Sequence, residues 1–410
     1  MSTERRTPAE ARECRDCGLR QEVPSLEGGS VAHCLRCDAV LRRASRHTAL
    51  FPLACAGIAA FLFFFVALEM PLMSIKAPGN FAAATVFDGP AQLIDRGIWP
   101  VALVVFVTLV LMPGLKLTGL VTVLFAMRFR EPPRWLGRVY RWTHLVSPWA
   151  MIEVFLLGAA IAYTRLEKLA NVAIHPALWA LMGVMLATVA AEATIDAEAI
   201  WDAAEKGRDL HDTKDCLMCE GCGRLEPNRP GEVCYRCGAT VHVRRPNAVL
   251  NTWALLLAAM LLYIPANVLP VMTIHQFGRG EPNTILSGVI ELGEAHLWPL
   301  AILVFAASFV VPMFKLVGIL TMLVTTYYRT PRWLRGRTRL FRFIDAIGRW
   351  SMIDVFMLAN LVGLVHMGYL ASIMPNWGAA AFAGVVILTM FAAETFDPRL
   401  MWDAVQKESA

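Results

Sequence analysis

The chain has 410 residues, 57% of them hydrophobic and 17% charged, with a mean hydropathy of +0.51 and a formal net charge of +5. Soluble domains carry about 25% charged residues, so this composition excludes a water-soluble fold and points to a membrane protein. The mild positive excess lies in segments flanking apolar runs, not on one basic face. It is an orientation signal and not a nucleic-acid footprint.

In chain order, the first stretch of about forty residues is polar and is not a cleavable signal peptide. It carries C-R-D-C-G-L at Cys14–Leu19 and C-L-R-C at Cys34–Cys37. Ala49–Leu68 is free of charge and long enough to cross a hydrocarbon core of about 30 Å. Cys55 inside it reads as a small buried hydrophobe. Residues 72–96 read as a loop apolar enough to lie along the interface. A second span, Trp99–Met127, is interrupted by Pro113-Gly114 and contains Lys116. After a loop carrying Arg128, Arg130, Arg134, Arg138 and Arg141, the third span covers Leu145–Thr164 and contains Glu153. The fourth runs from Pro176 to Ile195 with Glu192 at its end.

The middle of the chain reads C-E-G-C-G at Cys219–Gly223 and C-Y-R-C-G at Cys234–Gly238. Two Cys-x-x-Cys knuckles turn four thiolates onto one ion, and the trailing glycines supply the backbone freedom such turns need. Cys14, Cys17, Cys34 and Cys37 form one predicted set, and Cys219, Cys222, Cys234 and Cys237 the other. Zinc, one Zn2+ per set, is the predicted occupant; a thiol-redox pair and an iron–sulfur site are the alternatives. Cys216 could pair with Cys219 but lacks the following glycine and reads as a spare. All eight thiolates are consumed in closed sites, and no nucleotide fingerprint is present, which argues against an enzyme.

Four further spans follow: between Pro246 and Ile274, Trp298–Tyr328 with Lys315, Trp350–Leu370 with Asp354 and His366, and Trp377–Glu394. An arginine loop at 329–342 lies between the sixth and seventh. Glu69, Glu192 and Glu394 read as interfacial. Arginines crowd alternate loops, so the positive-inside rule places both ribbons, both arginine loops and both termini in the cytoplasm.

The halves repeat residue by residue. P-L-M-S-I at Pro71–Ile75 answers P-V-M-T-I at Pro270–Ile274, P-G-L-K-L-T-G at Pro113–Gly119 answers P-M-F-K-L-V-G at Pro312–Gly318, and W-A-M-I-E-V-F at Trp149–Phe155 answers W-S-M-I-D-V-F at Trp350–Phe356. An even helix count per half makes these parallel repeats, both entering the membrane from one side. The predicted fold class is a polytopic α-helical membrane protein with two parallel repeats, each a cytoplasmic zinc ribbon followed by four transmembrane helices. The domains are ribbon 1 at 1–47, helices at 48–196, ribbon 2 with its linker at 197–245, helices at 246–396 and a tail at 397–410. Each lysine follows a helix-breaking proline by three residues, and burying a charge costs at least about 2.5–3.5 kcal/mol. The simplest arrangement pairs Lys116 with Glu153 and Lys315 with Asp354, either as structural ion pairs or as a polar, proton-conducting path.

The duplicated ribbon-plus-four-helix unit, the P-x-x-K-L-x-G segment in both copies and F-D-P-R-L-M-W-D at Phe396–Asp403 together resemble the paraquat-inducible protein A family of inner-membrane proteins. The first copy reads I-D-A-E-A-I-W-D in place of that tail. The resemblance implies a lipid-transport subunit that works with a periplasmic MCE-domain protein to move phospholipids between inner and outer membranes. It also implies that the eight ribbon cysteines and Lys116, Glu153, Lys315 and Asp354 carry over. An ion or small-solute transporter, or a non-transporting scaffold for an envelope-maintenance complex, are the competing readings.

Overall fold

The computed structural model describes residues 10–24, 26–43, 50–77, 80–129, 131–167, 171–204, 216–276, 279–294, 296–365 and 371–406. Four short strands open the chain: β1 (Glu10–Glu13), β2 (Arg20–Val23), β3 (Val31–His33) and β4 (Val40–Arg43), paired as two antiparallel hairpins. Helix α1 (Leu50–Glu69) leads to β5 (Met73–Ala77), β6 (Asn80–Ala84) and α2 (Asp88–Asp95). Helix α3 (Trp99–Phe106) runs through a π-turn at Val107–Leu111 into α4 (Met112–Ala126). Helix α5 (Leu136–Val146) passes a 3-10 turn, Ser147–Trp149, into α6 (Ile152–Leu166). Strand β7 (Asn171–Ile174), α7 (Pro176–Thr194) and α8 (Ala197–Ala204) complete this half.

After β8 (Cys216–Met218) and β9 (Leu225–Pro227) the order recurs. Helix α9 (Ala248–Val268) is followed by β10 (Met272–Gln276), β11 (Arg279–Asn283) and α10 (Ile285–Glu294). Helix α11 (Trp298–Phe305) passes a π-turn, Ala306–Val310, into α12 (Val311–Tyr327). Then come α13 (Leu334–Ile347), a 3-10 turn at Gly348–Met352, α14 (Ile353–Leu364), β12 (Ala371–Pro375), α15 (Trp377–Thr395) and α16 (Arg399–Gln406).

Among the described residues, seven helices are long and apolar enough to cross a bilayer, and α1 contributes a shorter apolar stretch, Ala54–Glu69. Each proline expected to break a span instead follows a π-turn. Proline has no N–H to give the carbonyl four residues back and its ring crowds that carbonyl, so one wider turn lets the helix continue. The Thr108 carbonyl, inside the first π-turn, accepts the Met151 N–H at 3.3 Å. This bond ties the π-turn to the break between α5 and α6, where Ala150 and Met151 leave helical geometry.

The segment predicted as an interfacial loop at 72–96 holds strands and a helix among its described residues, and so does its counterpart in the second half. Two three-stranded antiparallel sheets, ordered β6-β5-β7 and β11-β10-β12, close the end of the bundle opposite the ribbons. The repeated P-x-M-S/T-I motif is their central strand. Ser74 meets the His175 ring at 2.7 Å, and Asn376 donates to Thr273 at the equivalent place, also at 2.7 Å. The arginine loops are likewise helices in their second parts: α5 and α13 bury Leu136, Tyr140 and Ile344 and leave Trp142, Leu145 and Phe343 exposed.

The halves meet along α6 and α14. Phe155 and Phe356 pack edge to face at 5.7 Å. A Cβ on Gly158 would stand 3.0 Å from the Met357 nitrogen, and one on Gly89 would stand 2.8 Å from the Ala359 carbonyl oxygen. Small residues let these backbones approach where no hydrophobic driving force separates helix from lipid. Every residue of α14 is buried, and α2 lies across it, with Gln92 and Arg96 donating to the Gly363 and Ile373 carbonyls.

The predicted unit of a ribbon with its own following helices is not the spatial unit. Cysteines 14, 17, 34 and 37 pack against Leu316, Ile319, Ile344, Phe396 and Trp402 of the second half. Cysteines 219, 222, 234 and 237 pack against Val123, Leu136, Tyr140 and Trp201 of the first. Arg342 of α13 donates to the Asp16 carboxylate at 2.6 Å and to the Cys37 carbonyl at 2.9 Å, and the Arg36 guanidinium lies 4.6 Å from the Trp402 ring centre. On the other side, Arg236 donates to the Trp201 carbonyl at 2.8 Å and pairs with Asp202 at 3.1 Å. The ribbons also touch each other, where Arg20 donates to the Cys216 carbonyl.

Candidate functional site

Each knuckle is a tight turn whose geometry the sequence dictates. The residue after the second cysteine is left-handed in all four: Gly18 at φ 68°, Asp38 at 64°, Gly223 at 77° and Gly238 at 69°. Glycine meets no Cβ penalty there, and aspartate is among the side chains that tolerate it. The turns bring the four sulfurs of each set within 4.8 Å of one another, all buried. Sulfur pairs stand 3.5 Å apart in the first set and 3.5 and 3.7 Å in the second. A tetrahedral zinc with Zn–S bonds near 2.3 Å requires sulfurs about 3.8 Å apart, so the donor set fits.

Cys216 lies outside the second cluster, at the start of β8. Cys55 contradicts the buried-hydrophobe expectation: it is exposed on α1. In a span, the apolar environment that suits it is the lipid rather than the core.

The tail motif has a local explanation. Asp397 accepts the Arg399 N–H at 3.0 Å, as Asp196 accepts that of Glu198 at 3.0 Å, each capping a short helix. Burial would raise the Asp397 carboxyl, but hydrogen bonds from Arg399 override it and hold it below the usual range. The position of Arg399 in the second half is Glu198 in the first, with opposite charge. Arg399 reaches Glu220 of ribbon 2, while Glu198 takes both nitrogens of Arg12 of ribbon 1 at 2.6 and 2.7 Å. The departure from F-D-P-R is therefore a change of partner.

The expected lysine–carboxylate pairs do not form. Lys116 makes its ion pair with Glu192 of α7 at 2.6 Å. Glu153 makes none among the described residues. Lys315 is fully buried, and its Nζ has no hydrogen-bond partner. Asp354, in the first turn of α14, meets Ser308 of the π-turn instead. Between each lysine and its nominal partner the chain passes a further helix and a 3-10 break, so sequence spacing did not fix their facing. Ser308 and Thr108, missed in the sequence reading, donate to the Val304 and Val104 carbonyls at 2.6 and 2.7 Å. Their signal was a hydroxyl four or five residues before each proline. Glu69 ends α1, Glu192 and Glu394 are exposed near helix ends, and His366 lies outside the described residues.

Fold and site together define a multi-pass helical membrane protein bearing two four-cysteine clusters placed to chelate metal ions. The chain belongs to the paraquat-inducible protein A family, whose sequence profile matches twice, at residues 52–205 and 249–406. It is 32% identical over 403 residues to intermembrane transport protein PqiA of Escherichia coli K12, covering 95% of each chain. Lipophilic envelope-spanning tunnel protein A of the same organism is 28% identical over 401 residues, covering 97% of this chain and 92% of its own. A probable intermembrane transport protein of Haemophilus influenzae is 25% identical over 410 residues, with 98% of each chain covered. No solved structure is similar.

Proposed function

We propose that this chain is the inner-membrane subunit of a lipid transport system that works with a periplasmic MCE-domain protein to move phospholipids between inner and outer membranes. The observation that carries the reading is similarity over 95% of both chains to a protein named for intermembrane transport. In this reading the halves are parallel repeats of four spans. The ribbons and both termini face the cytoplasm, each ribbon holds one structural zinc, and the sheet-capped end faces the periplasmic partner. The domain limits at 1–47, 48–196, 197–245, 246–396 and 397–410 describe order along the chain, with the ribbons exchanged in space.

Energy enters through Asp354 and Lys315, with Lys116 and Glu153 as the first-half counterparts. The Ser308 hydroxyl has one proton and two acceptors, the Val304 carbonyl and the Asp354 carboxyl. An ionised Asp354 takes that proton and releases Val304. A protonated Asp354 donates to Ser308 and lets Ser308 keep Val304. Gain or loss of one proton thereby changes a hydrogen bond inside the π-turn, which is the kind of two-state element a transporter needs. The test is lipid delivery from vesicles reconstituted with this protein and the MCE partner, using Asp354→Asn and Lys315→Ala singly and together after protein levels are matched. Folded, inactive single variants and an inactive double variant are expected. Normal delivery by folded Asp354→Asn would sink the coupling role, and delivery by vesicles lacking this chain would sink the transport reading.

A further inference from the structure

The unpartnered Lys315 lines a cavity of about 270 Å³ at the ribbon end of the bundle, where the two halves meet. One wall is His144 and Trp149 of the first half, and the other is Asp345, Arg349 and Glu394 of the second. At about 30 Å³ per water, the space exceeds what a single proton-carrying water needs several-fold. It lies near the small end of pockets that take organic ligands. Its lining mixes basic and acidic side chains: Lys315 and Arg349 are the bases, Asp345 and Glu394 the acids. No ion pair joins any of the four across the chamber among the described residues. In the first half the equivalent lysine is engaged, because there Glu192 closes on Lys116. Trp149 packs against Phe391 at 4.8 Å, and Phe391 is exposed on α15, so the aromatic wall continues onto an exposed apolar surface.

A buried amine without a partner is stabilised in its protonated form by an incoming anion, and two carboxyl groups on the facing wall suit a cation a few ångströms away. We propose that this cavity binds a zwitterionic phosphoethanolamine group, its phosphate held by Lys315 and Arg349 and its ammonium by Asp345 and Glu394. The group is carried either by a phospholipid of the ribbon-side leaflet or by a soluble glycerophosphodiester. The proposal rests on the transport reading for its purpose but not for its test.

The full-length protein is reconstituted in nanodiscs containing equal phosphatidylethanolamine and phosphatidylglycerol, and retained lipid is read by native mass spectrometry. In parallel, saturable binding of glycerophosphoethanolamine and glycerophosphoglycerol is measured on the same protein. The expected result is at least tenfold preference for the ethanolamine form in one of the two arms. That preference should collapse to about onefold in Asp345→Asn/Glu394→Gln, a variant that removes charge while keeping shape. Retained lipid identifies a membrane source, and binding of the soluble diester alone identifies a free one. Lys315→Met should abolish binding; if it does not fold, Arg349→Ala should weaken binding about tenfold in a chain that does. Equal capture of both headgroups, no capture in either arm, or unchanged preference in the double variant overturns the site. Binding without delivery to the MCE partner leaves the site standing and removes the transport reading, while delivery without binding does the reverse.

Discussion

Gly137 and Gly336 both lie near the start of their helices, α5 and α13, yet alanine should have opposite effects at the two positions. In a helix interior, glycine to alanine stabilises by about 1 kcal/mol. At Gly137 the added Cβ would stand 2.1 Å from the Arg236 carbonyl oxygen of ribbon 2, about 1.3 Å short of the 3.4 Å at which ordinary contact begins. A backbone carbonyl held in a knuckle cannot rotate away, so ribbon 2 must lift off α5. Overpacking of this kind costs about 1–3 kcal/mol. At Gly336 the nearest atom is in the Trp333 ring, at 2.2 Å, but Trp333 is 73% exposed and its ring can swing outward. Hydrogen–deuterium exchange of peptides covering residues 216–241 reads the docking of ribbon 2. Gly137→Ala should exchange faster there by about 5- to 150-fold, since each 1.4 kcal/mol is a factor of ten. Gly336→Ala should leave those peptides unchanged and should unfold no earlier than the parent. Equal exchange in parent and Gly137→Ala would falsify the exchanged docking of the ribbons.

Purified protein should hold two zinc ions per chain; Cys219→Ser should lose one, with lower yield, while Cys216→Ser should keep both, by metal analysis. Glu192→Gln should destabilise the first half by about 1 kcal/mol, because the pair is half open to solvent on the Glu192 side, and Lys116→Met combined with it should recover part of that loss in a thermal-unfolding cycle. The Asp397 carboxyl is held below its unfolded value of 3.8, so its contribution to tail docking is complete above that pH and disappears as pH falls through the lower folded value. Proteolysis of α16 should therefore stay slow at pH 5 and accelerate only in stronger acid. A photo-crosslinker at Phe87, exposed near the sheet-capped end, should capture an MCE-domain protein in native membranes; capture only from ribbon positions would reverse the proposed docking side.

The cysteine clusters were legible because a knuckle is a local object: spacing and the trailing glycine are enough. Seven of the eight spans expected from hydropathy are helices long and apolar enough to cross a bilayer among the described residues, and the family profile matches once in each half, where the aligned motifs lie. The capping sheets were not legible, since M-S-I-K-A and N-F-A-A-A are too short and too apolar to show alternation beside a transmembrane run. The helical character of α5 was present in Leu136 and Tyr140, four apart on one face, but the arginines between them suggested a loop. The partner of Lys116 was hidden for a different reason. Which of two carboxylates faces a lysine depends on how helices are arranged around one another, and hydropathy carries no trace of that. The exchange of the ribbons has the same origin.

That exchange constrains how the protein is made. Asp16 must find Arg342, a separation of 326 residues, before ribbon 1 reaches its docking surface on α13. At bacterial synthesis rates of about 5–20 residues per second, the first ribbon emerges roughly 16–65 seconds ahead of its docking surface. During that interval a metal ion, if taken up by the four cysteines, would supply folding energy to so small a unit. A chain that stops early never presents α13 or Trp402 and leaves the ribbon's apolar face uncovered, a mark by which quality control can tell an unfinished molecule from a complete one.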